Sequence, residues 1–163
     1  SKGCRQIAFL AMSENLAIIN HRQRGYEEAL RVHGLRLNKN SIINCKNSES
    51  DCLSLLRRKL NSKNKPDGIV GSVEKLTTAV YTVCDELKLR IPQDVKVISF
   101  SSLQIASLLN PSLTTITQPA FEMGKMAAKF LFNILEKRTP NGKGETIMLP
   151  SILVERGSTQ ISK

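Results

Sequence analysis

The sequence has few of the features that mark membrane, secreted or base-reading proteins. No apolar run approaches the ~18 consecutive residues that a membrane-spanning helix requires, and residues 1–5 do not resemble a signal peptide. Aromatic residues make up only 4% of the chain and tryptophan is absent, so surfaces on which exposed bases could stack are scarce. These absences predict a cytoplasmic protein with no membrane partner and no direct reading of bases by this part of the chain.

Cysteine and histidine are few and scattered. The cysteines are Cys4, Cys45, Cys52 and Cys84, and the histidines are His21 and His33. The sequence has no C-x-x-C pair, whereas a structural zinc site needs closely spaced ligands. We therefore expect no metal and no cofactor. Cys45 and Cys52 could meet across a strand-to-helix turn, but the sequence favours buried or idle thiols at all four positions.

The motifs of the common enzyme classes are also missing. The sequence has no G-x-S-x-G, no P-loop, no G-x-G-x-x-G after a strand and no H-E-x-x-H. The acidic doublets Glu27-Glu28 and Asp85-Glu86 are neighbours on predicted helices, where successive side chains point about 100° apart. The sequence therefore predicts a binding protein rather than an enzyme.

Positive charge is what the sequence has in excess. Its 163 residues include 24 Lys plus Arg against 14 Asp plus Glu, which gives a formal net charge of +10. The densest basic cluster consists of Arg57, Arg58, Lys59, Lys63 and Lys65. This cluster lies near the predicted end of a helix, where the helix dipole favours cations. We interpret it as a solvated helix end rather than a nucleic-acid interface.

The hydrophobic pattern predicts an α/β fold. A chain of this length buries roughly 70% of the surface that its unfolded form exposes, so its own core is sufficient for folding. Short β-like runs alternate with longer helical stripes, which predicts a three-layer α/β/α arrangement around a mainly parallel sheet. The predicted strands are 6–12, 41–44, 68–71, 95–100 and 113–117, followed by a closing pair at 145–149 and 152–156. The predicted helices are 19–33, 48–60, 73–87 with Ser72 as its N-cap, and 118–137.

Polar residues follow several predicted strands. Open α/β sheets bind ligands outside the carboxyl ends of their strands, so these residues form the candidate ligand site. The candidates are the polar residues Ser13, Arg22, Asn47 and Ser101, together with the apolar Val73 that lies between Ser72 and Glu74. Arg22 is the leading candidate, because a guanidinium group can bond to adjacent hydroxyls or to a carboxylate. The alternative is an ordinary surface arginine.

Several segments of the chain together resemble the LacI/GalR family of bacterial transcription regulators. They are residues 22–34, 91–100, 110–119, 123–128, 149–150 and 154–159, in the order and spacing of that family. The resemblance implies a periplasmic-binding-protein-like sensor of type I, in which two α/β lobes enclose a small effector, usually a sugar or sugar derivative. It also implies that Arg22 is the arginine that contacts the sugar.

The sequence departs from the family pattern at two places near this arginine. Val73-Glu74 stands where Asn-Asp is common, and Ser101-Ser102 stands where Asp-Asp is common. A carboxylate that would accept two sugar hydroxyls is thereby replaced by a single hydroxyl. The loss of an anion beside Arg22 predicts an acidic effector such as a sugar acid, and a neutral sugar is the alternative.

The resemblance also implies a division of the chain. Residues 1–117 correspond to the C-terminal effector-binding lobe, 118–143 to a helix and turn that belong to the N-terminal lobe, and 144–163 to strands that return to the C-terminal lobe. The DNA-binding headpiece of the family has no counterpart in this sequence. Operator DNA would therefore be bound only through that missing headpiece.

The family dimerises through its C-terminal lobe, which implies a homodimer here. The matching residues are Leu76, Val80, Val83, Leu108 and Leu109. Packing in the core could also explain this apolar set. A solute-binding protein of a transport system would share the same fold and cleft, so it is the alternative function.

Overall fold

The computed structural model describes residues 2–12, 16–45, 48–102, 104–136 and 146–160. Its strands are β1 (Ile7–Met12), β2 (Ile42–Cys45), β3 (Gly68–Gly71), β4 (Lys96–Phe100), β5 (Thr114–Thr117) and β6 (Ile152–Val154). They form one six-stranded sheet in the order β2-β1-β3-β4-β5-β6. The first five strands are parallel, and β6 is antiparallel to β5. The bounds of β1 to β5 agree with the sequence-based bounds to within one residue.

Helices cover both faces of the sheet, which confirms the three-layer prediction. The helices are α1 (Ala17–Val32), α2 (Glu49–Leu60), α3 (Lys75–Glu86) and α4 (Ala120–Leu135). β1 explains why both faces need a cover. Its residues Phe9 and Ala11 pack with α1, whereas Ala8 and Leu10 pack in the larger core that α2 and α3 also enter. A strand buried on both faces is continuously apolar, as this one is.

Three residues predicted to form the dimer interface lie in that larger core. Leu76, Val80 and Val83 on α3 are 6%, 0% and 0% exposed. A side chain without accessible surface in its own chain cannot contact a second one, so core packing explains this stripe. Leu109 is partly buried against the same core, and Leu108 is 81% exposed. Of the five, Leu108 has the most surface to offer a partner.

The prediction of idle thiols is wrong for Cys45 and Cys52. The structure joins them in a disulfide with their Cα atoms 4.8 Å apart. Cys45 is the last residue of β2, and Cys52 lies one turn into α2, so the connection between the two elements brings the thiols together. Cys4 and Cys84 remain free, as predicted.

The closing strand pair is predicted only in part. β6 occupies the second half of the predicted pair, whereas residues 146–149 have no regular secondary structure and Glu145 lies outside the described residues. β6 already pairs with β5 at this edge of the sheet. Residues 146–149 pair with no strand in the described part of the chain.

The segment after β6 is fastened to the sheet by buried hydrogen bonds. The Ser158 hydroxyl donates to the Val97 carbonyl at 2.6 Å and accepts from the Thr114 N–H at 2.8 Å. The Arg156 guanidinium donates to the Leu113 carbonyl at 2.7 Å. These contacts give part of the 154–159 motif a structural role, which is to hold the end of the chain against β4 and β5.

α4 differs from the other helices because it buries none of its side chains. α1 and α2 bury three residues each and α3 buries six. The large apolar residues that α4 exposes are Phe121, Met123, Leu131, Phe132, Ile134 and Leu135. The described part of this chain therefore provides no cover for the apolar face of α4.

Among the described helices, none has the length and apolar character needed to cross a membrane.

Candidate functional site

The strand order reverses between β1 and β3, and this reversal defines the candidate site. The chain passes from β1 outward to β2 on one side and then returns to β3 on the other side. Ligands of open α/β sheets bind in the crevice outside the carboxyl ends of the strands at such a point. α1 follows β1, and residues 72–74 follow β3, so these two segments supply the side chains nearest the crevice.

Arg22 of α1 reaches across this point of reversal. One of its guanidinium nitrogens, Nη1, donates to the Ser72 carbonyl at 2.7 Å. The centre of the guanidinium lies 4.4 Å from the centroid of the Phe100 ring, a distance at which cation and aromatic ring attract. These two contacts hold Arg22 between the ends of β3 and β4.

The guanidinium keeps most of its binding capacity. An arginine has five N–H donors, and among the described residues only the Ser72 carbonyl accepts a hydrogen bond from Arg22. Partial burial lowers the pKa of the Arg22 guanidinium from its ordinary value, but that value is so high that the group stays charged at neutral pH. The site thus holds a fixed cation with free donors.

A carboxylate lies at the neighbouring strand end. The Ser101 hydroxyl donates to Oε2 of Glu74 at 2.8 Å, and the Thr117 hydroxyl donates to the Ser101 carbonyl at 3.2 Å. Glu74 immediately precedes α3, and Ser101 immediately follows β4. A carboxylate therefore lies beside Ser101, and the acidic effector expected from the sequence remains a prediction.

Small polar side chains are buried beneath the rim of the crevice. The hydroxyls of Ser72 and Thr77 are buried and have no hydrogen-bond partner in the described part of the chain. Ser72 was predicted to be the N-cap of α3, and this prediction is wrong. The helix begins at Lys75, two residues after the predicted start, and its N-cap is Glu74. A Cβ atom at Gly71 would lie 2.9 Å from the Ser99 hydroxyl oxygen, so a larger residue there would require the Ser99 side chain to move.

The structure brings together three of the five residues that the sequence predicts for the ligand site. Arg22, Val73 and Ser101 lie at the same edge of the sheet, and Val73 is partly buried against the larger core. Ser13 and Asn47 lie outside the described residues. Sequence reasoning did not assign the roles of Phe100 and Glu74. Glu74 follows the third predicted strand and was noted there without a role, whereas Phe100 directly precedes Ser101, so a window one residue wider would have included it.

An apolar cavity of about 590 Å³ adjoins Arg22 along α1. Residues of α1 form one wall, and Val70, Phe100 and Ile116 of the sheet form the other. Arg22 is a lining residue of this cavity and at the same time bonds to the crevice rim at Ser72. The cavity therefore gives Arg22 an apolar flank, while Glu74 and Ser101 provide polar groups at the neighbouring strand ends.

Comparison with known proteins gives one consistent result. The sequence model of the family described as "Periplasmic binding protein-like domain" matches residues 1–159. The ribose operon repressor of Escherichia coli strain K12 is 27% identical over 157 residues, which are 96% of this chain and 47% of the repressor. The chain thus spans about half the length of the curated relatives that it matches.

Solved structures with a similar fold include two regulators. A LacI-family regulatory protein from Chloroflexus aggregans matches with a TM-score of 0.88 and 26% identity, covering 96% of this chain and 56% of that protein. A sugar-binding LacI-family transcriptional regulator from Escherichia coli, solved with phosphate, matches with a TM-score of 0.83 and 26% identity, covering 96% and 55%.

Proposed function

Because the chain belongs to the periplasmic binding protein-like domain family, we propose that it is the effector-binding region of a bacterial transcription regulator. The resemblance to the LacI/GalR family is confirmed by the similarity to regulators of that family. The observation that carries the proposal is the position of Arg22, which bonds to the end of β3 across the reversal of strand order. A cation held there with free donors is suited to a small polar ligand.

The proposed effector is a sugar or a sugar acid. A sugar hydroxyl both donates and accepts hydrogen bonds, so it can accept from Arg22 and donate to Glu74. A sugar acid would place its carboxylate on Arg22 and would have to keep it away from Glu74. The opposite charges of these two residues favour a neutral sugar. One similar protein is named a ribose operon repressor and another a sugar-binding regulator, which supports the class of effector.

We propose the same division of the chain that the sequence implied. Residues 1–117 and 144–163 form the effector-binding lobe, in support of which β6 pairs with β5. Residues 118–143 belong to a second lobe, and the exposed apolar face of α4 supports this assignment. Effector binding would shift the closure of the two lobes only as far as its affinities for the open and closed states differ.

The proposed partners follow from the same assignment. The regulator forms a homodimer in which Leu108 and Leu109 lie at the surface between the two chains, and it contacts operator DNA through a headpiece outside this sequence. It works in the cytoplasm and has no catalytic role, since the similar proteins named above are regulators rather than enzymes. The same names disfavour the transport alternative.

A ligand-dependent melting screen of the intact protein tests this function. Neutral sugars and sugar acids are tested against wild type and Glu74→Gln. We expect one neutral sugar to raise Tm of the wild type, and the shift to shrink in Glu74→Gln, which has lost the charged acceptor. A larger shift in Glu74→Gln with a sugar acid would reverse the preference for a neutral effector. No shift with either class would contradict the proposed function.

A further inference from the structure

A second surface lies at the open edge of the sheet, away from the residues assigned to the effector. Among the described strands, β2 pairs only with β1, so one side of its backbone faces no other strand. The N–H and C=O groups on the open side of an edge strand can pair with a strand from another chain. A cavity of about 530 Å³ runs between this strand and the end of α2.

Cations line this part of the molecule from several elements. The cavity beside β2 is lined by Arg58, Lys59 and Lys63. An adjoining cavity of about 700 Å³ shares Lys59 and adds Arg5 and Arg36. Among the residues that the structure describes, no aspartate or glutamate lines either cavity. We call the two cavities together the edge groove.

The helix dipole explains only part of this charge. Cations at the end of α2 are favoured by the dipole, but Arg5 precedes β1 and Arg36 follows α1. The neighbouring Arg57 differs from these cations because it forms an ion pair within the fold. Its guanidinium donates to the Glu86 carboxylate at 2.6 and 2.8 Å.

None of the five cations in the edge groove forms an ion pair within the ranges that the structure describes. Asp67 accepts a hydrogen bond from the backbone N–H of Arg5 at 2.8 Å, but its side chain does not line the groove. The positive charge of the groove is therefore available to a partner.

We propose that the edge groove binds an acidic peptide segment of a partner protein, which adds as an extended strand beside β2. Backbone hydrogen bonds to the open edge would supply affinity, and the cations would select Asp and Glu side chains. Ile42 and Leu55 give the groove apolar patches for the intervening residues, and Asn40 and Asn64 give it further hydrogen-bonding groups.

Nucleic acid fits the edge groove less well. Single strands bind by stacking bases on aromatic side chains, and neither cavity has an aromatic residue in the described part of its lining. The phosphates of a duplex could contact the cations, but a duplex has no peptide backbone to pair with the open edge of β2. The open strand edge therefore favours the peptide.

A fluorescence anisotropy titration of the intact protein tests the proposal with an eight-residue peptide of alternating Glu and Val. The exposed pair Arg58→Glu plus Lys63→Glu is compared with Arg24→Glu plus Lys129→Glu, which changes net charge equally at exposed positions outside the groove. We expect the groove variant to weaken binding at least about tenfold and the control variant to change it less than about twofold. Equal losses in both variants would overturn the proposal. Melting curves confirm that both variants fold.

Three further ligands separate the possible causes of binding. The same peptide methylated on every backbone nitrogen keeps its charge but has no N–H to donate to either side, so we expect it to bind much more weakly. A Lys-Val peptide should not bind. Equal binding of the methylated or the basic peptide would contradict strand addition. An oligonucleotide that binds more tightly than the acidic peptide, and loses affinity in the groove variant, would assign the groove to nucleic acid and overturn the proposal.

Discussion

At the scale of single residues, the candidate site depends on the shape of the Arg22 side chain as well as on its charge. The guanidinium lies over the Phe100 ring and donates to the Ser72 carbonyl at the same time. A planar group can stack and donate in its plane together, whereas an ammonium group cannot. These contacts also hold the side chain in place before a ligand arrives, which lowers the entropic cost of binding.

Arg22→Lys should therefore behave as a loss of function although it keeps the charge. We expect it to weaken effector binding about tenfold or more, because lysine retains neither the stacking contact nor the fork of donors. Calorimetric titration of the intact variant measures the affinity. The melting temperature without effector serves as the control for folding, and unchanged affinity would show that Arg22 does not contact the effector.

Thr77 offers a test of the polar groups beneath the site. Its hydroxyl is buried and has no partner among the described residues, so Thr77→Val should raise the free energy of unfolding by about 1 kcal/mol. Thr78 is the matched control, because its exposed hydroxyl donates to the Lys75 carbonyl at 3.0 Å. Thr78→Val should not stabilise the protein. Urea denaturation measures both variants, and destabilisation by Thr77→Val would show that its hydroxyl is paired in solution.

Tyr81 should make the fold sensitive to alkali. Its hydroxyl donates to the Pro111 carbonyl at 2.7 Å, and burial raises the pKa of Tyr81 from 10.0 to about 12. A raised pKa means that the folded state holds this proton more tightly than the unfolded state. The resulting stability is complete below pH 10 and is lost as pH rises through about 12.

Denaturation curves from pH 8 to 12 should show this loss, and Tyr81→Phe should make the decline shallower. Burial also raises the pKa of Cys84, from 9.0 to about 11, so part of the decline should begin at lower pH and persist in the variant. An identical decline in wild type and Tyr81→Phe would contradict the role given to Tyr81.

At the scale of elements, β1 to β5 were predictable because their patterns are local. A strand buried on both faces, such as β1, is a continuous apolar run, and the periodicity of α1 to α3 records which side faces the sheet. The Glu74–Ser101 hydrogen bond and the Cys45–Cys52 disulfide were not predicted. The hydrogen bond depends on how distant elements approach one another in space, which spacing along the chain does not fix. The disulfide crosses a single strand-to-helix connection, where the spacing permits either a bond or two free thiols.

The contrast between α2 and α4 gives a prediction at this scale. Leu56 on α2 is fully buried, so Leu56→Ala should cost about 2 to 5 kcal/mol of unfolding free energy. Phe121 on α4 is 80% exposed, so Phe121→Ser should change the stability of this 163-residue chain by less than about 0.5 kcal/mol. Chemical denaturation of the two variants provides the comparison. A large loss in Phe121→Ser would show that α4 packs on the described lobe after all.

At the scale of the whole molecule, the net charge of +10 separates into surfaces with different uses. Arg22 belongs to the crevice, Arg57 connects α2 to α3 through Glu86, and Arg58 lies in the edge groove. The basic cluster at the end of α2 therefore serves two purposes. Arg57 forms an ion pair with Glu86 within the fold, and Arg58 lies in the proposed edge groove. The exposed apolar face of α4 supports the proposal that residues 118–143 belong to a second lobe.

The proposed dimer can be tested at its most exposed residue. Leu108→Arg would bring a charge to the surface between the two chains, so we expect the variant to be monomeric at concentrations where the wild type is dimeric. Leu37→Arg is the control, since Leu37 is also exposed but lies at another surface. Light scattering of the intact proteins gives the masses. A dimer that survives Leu108→Arg would exclude this surface.

The proposed function requires the effector to bind at the carboxyl ends of the strands, where their order reverses. The most direct test is a crystal structure of the intact protein with the sugar that the melting screen identifies. We predict that the sugar accepts hydrogen bonds from the Arg22 guanidinium and donates to the Glu74 carboxylate. A sugar bound elsewhere, without contact to Arg22, would show that the effector site lies at another place in the fold.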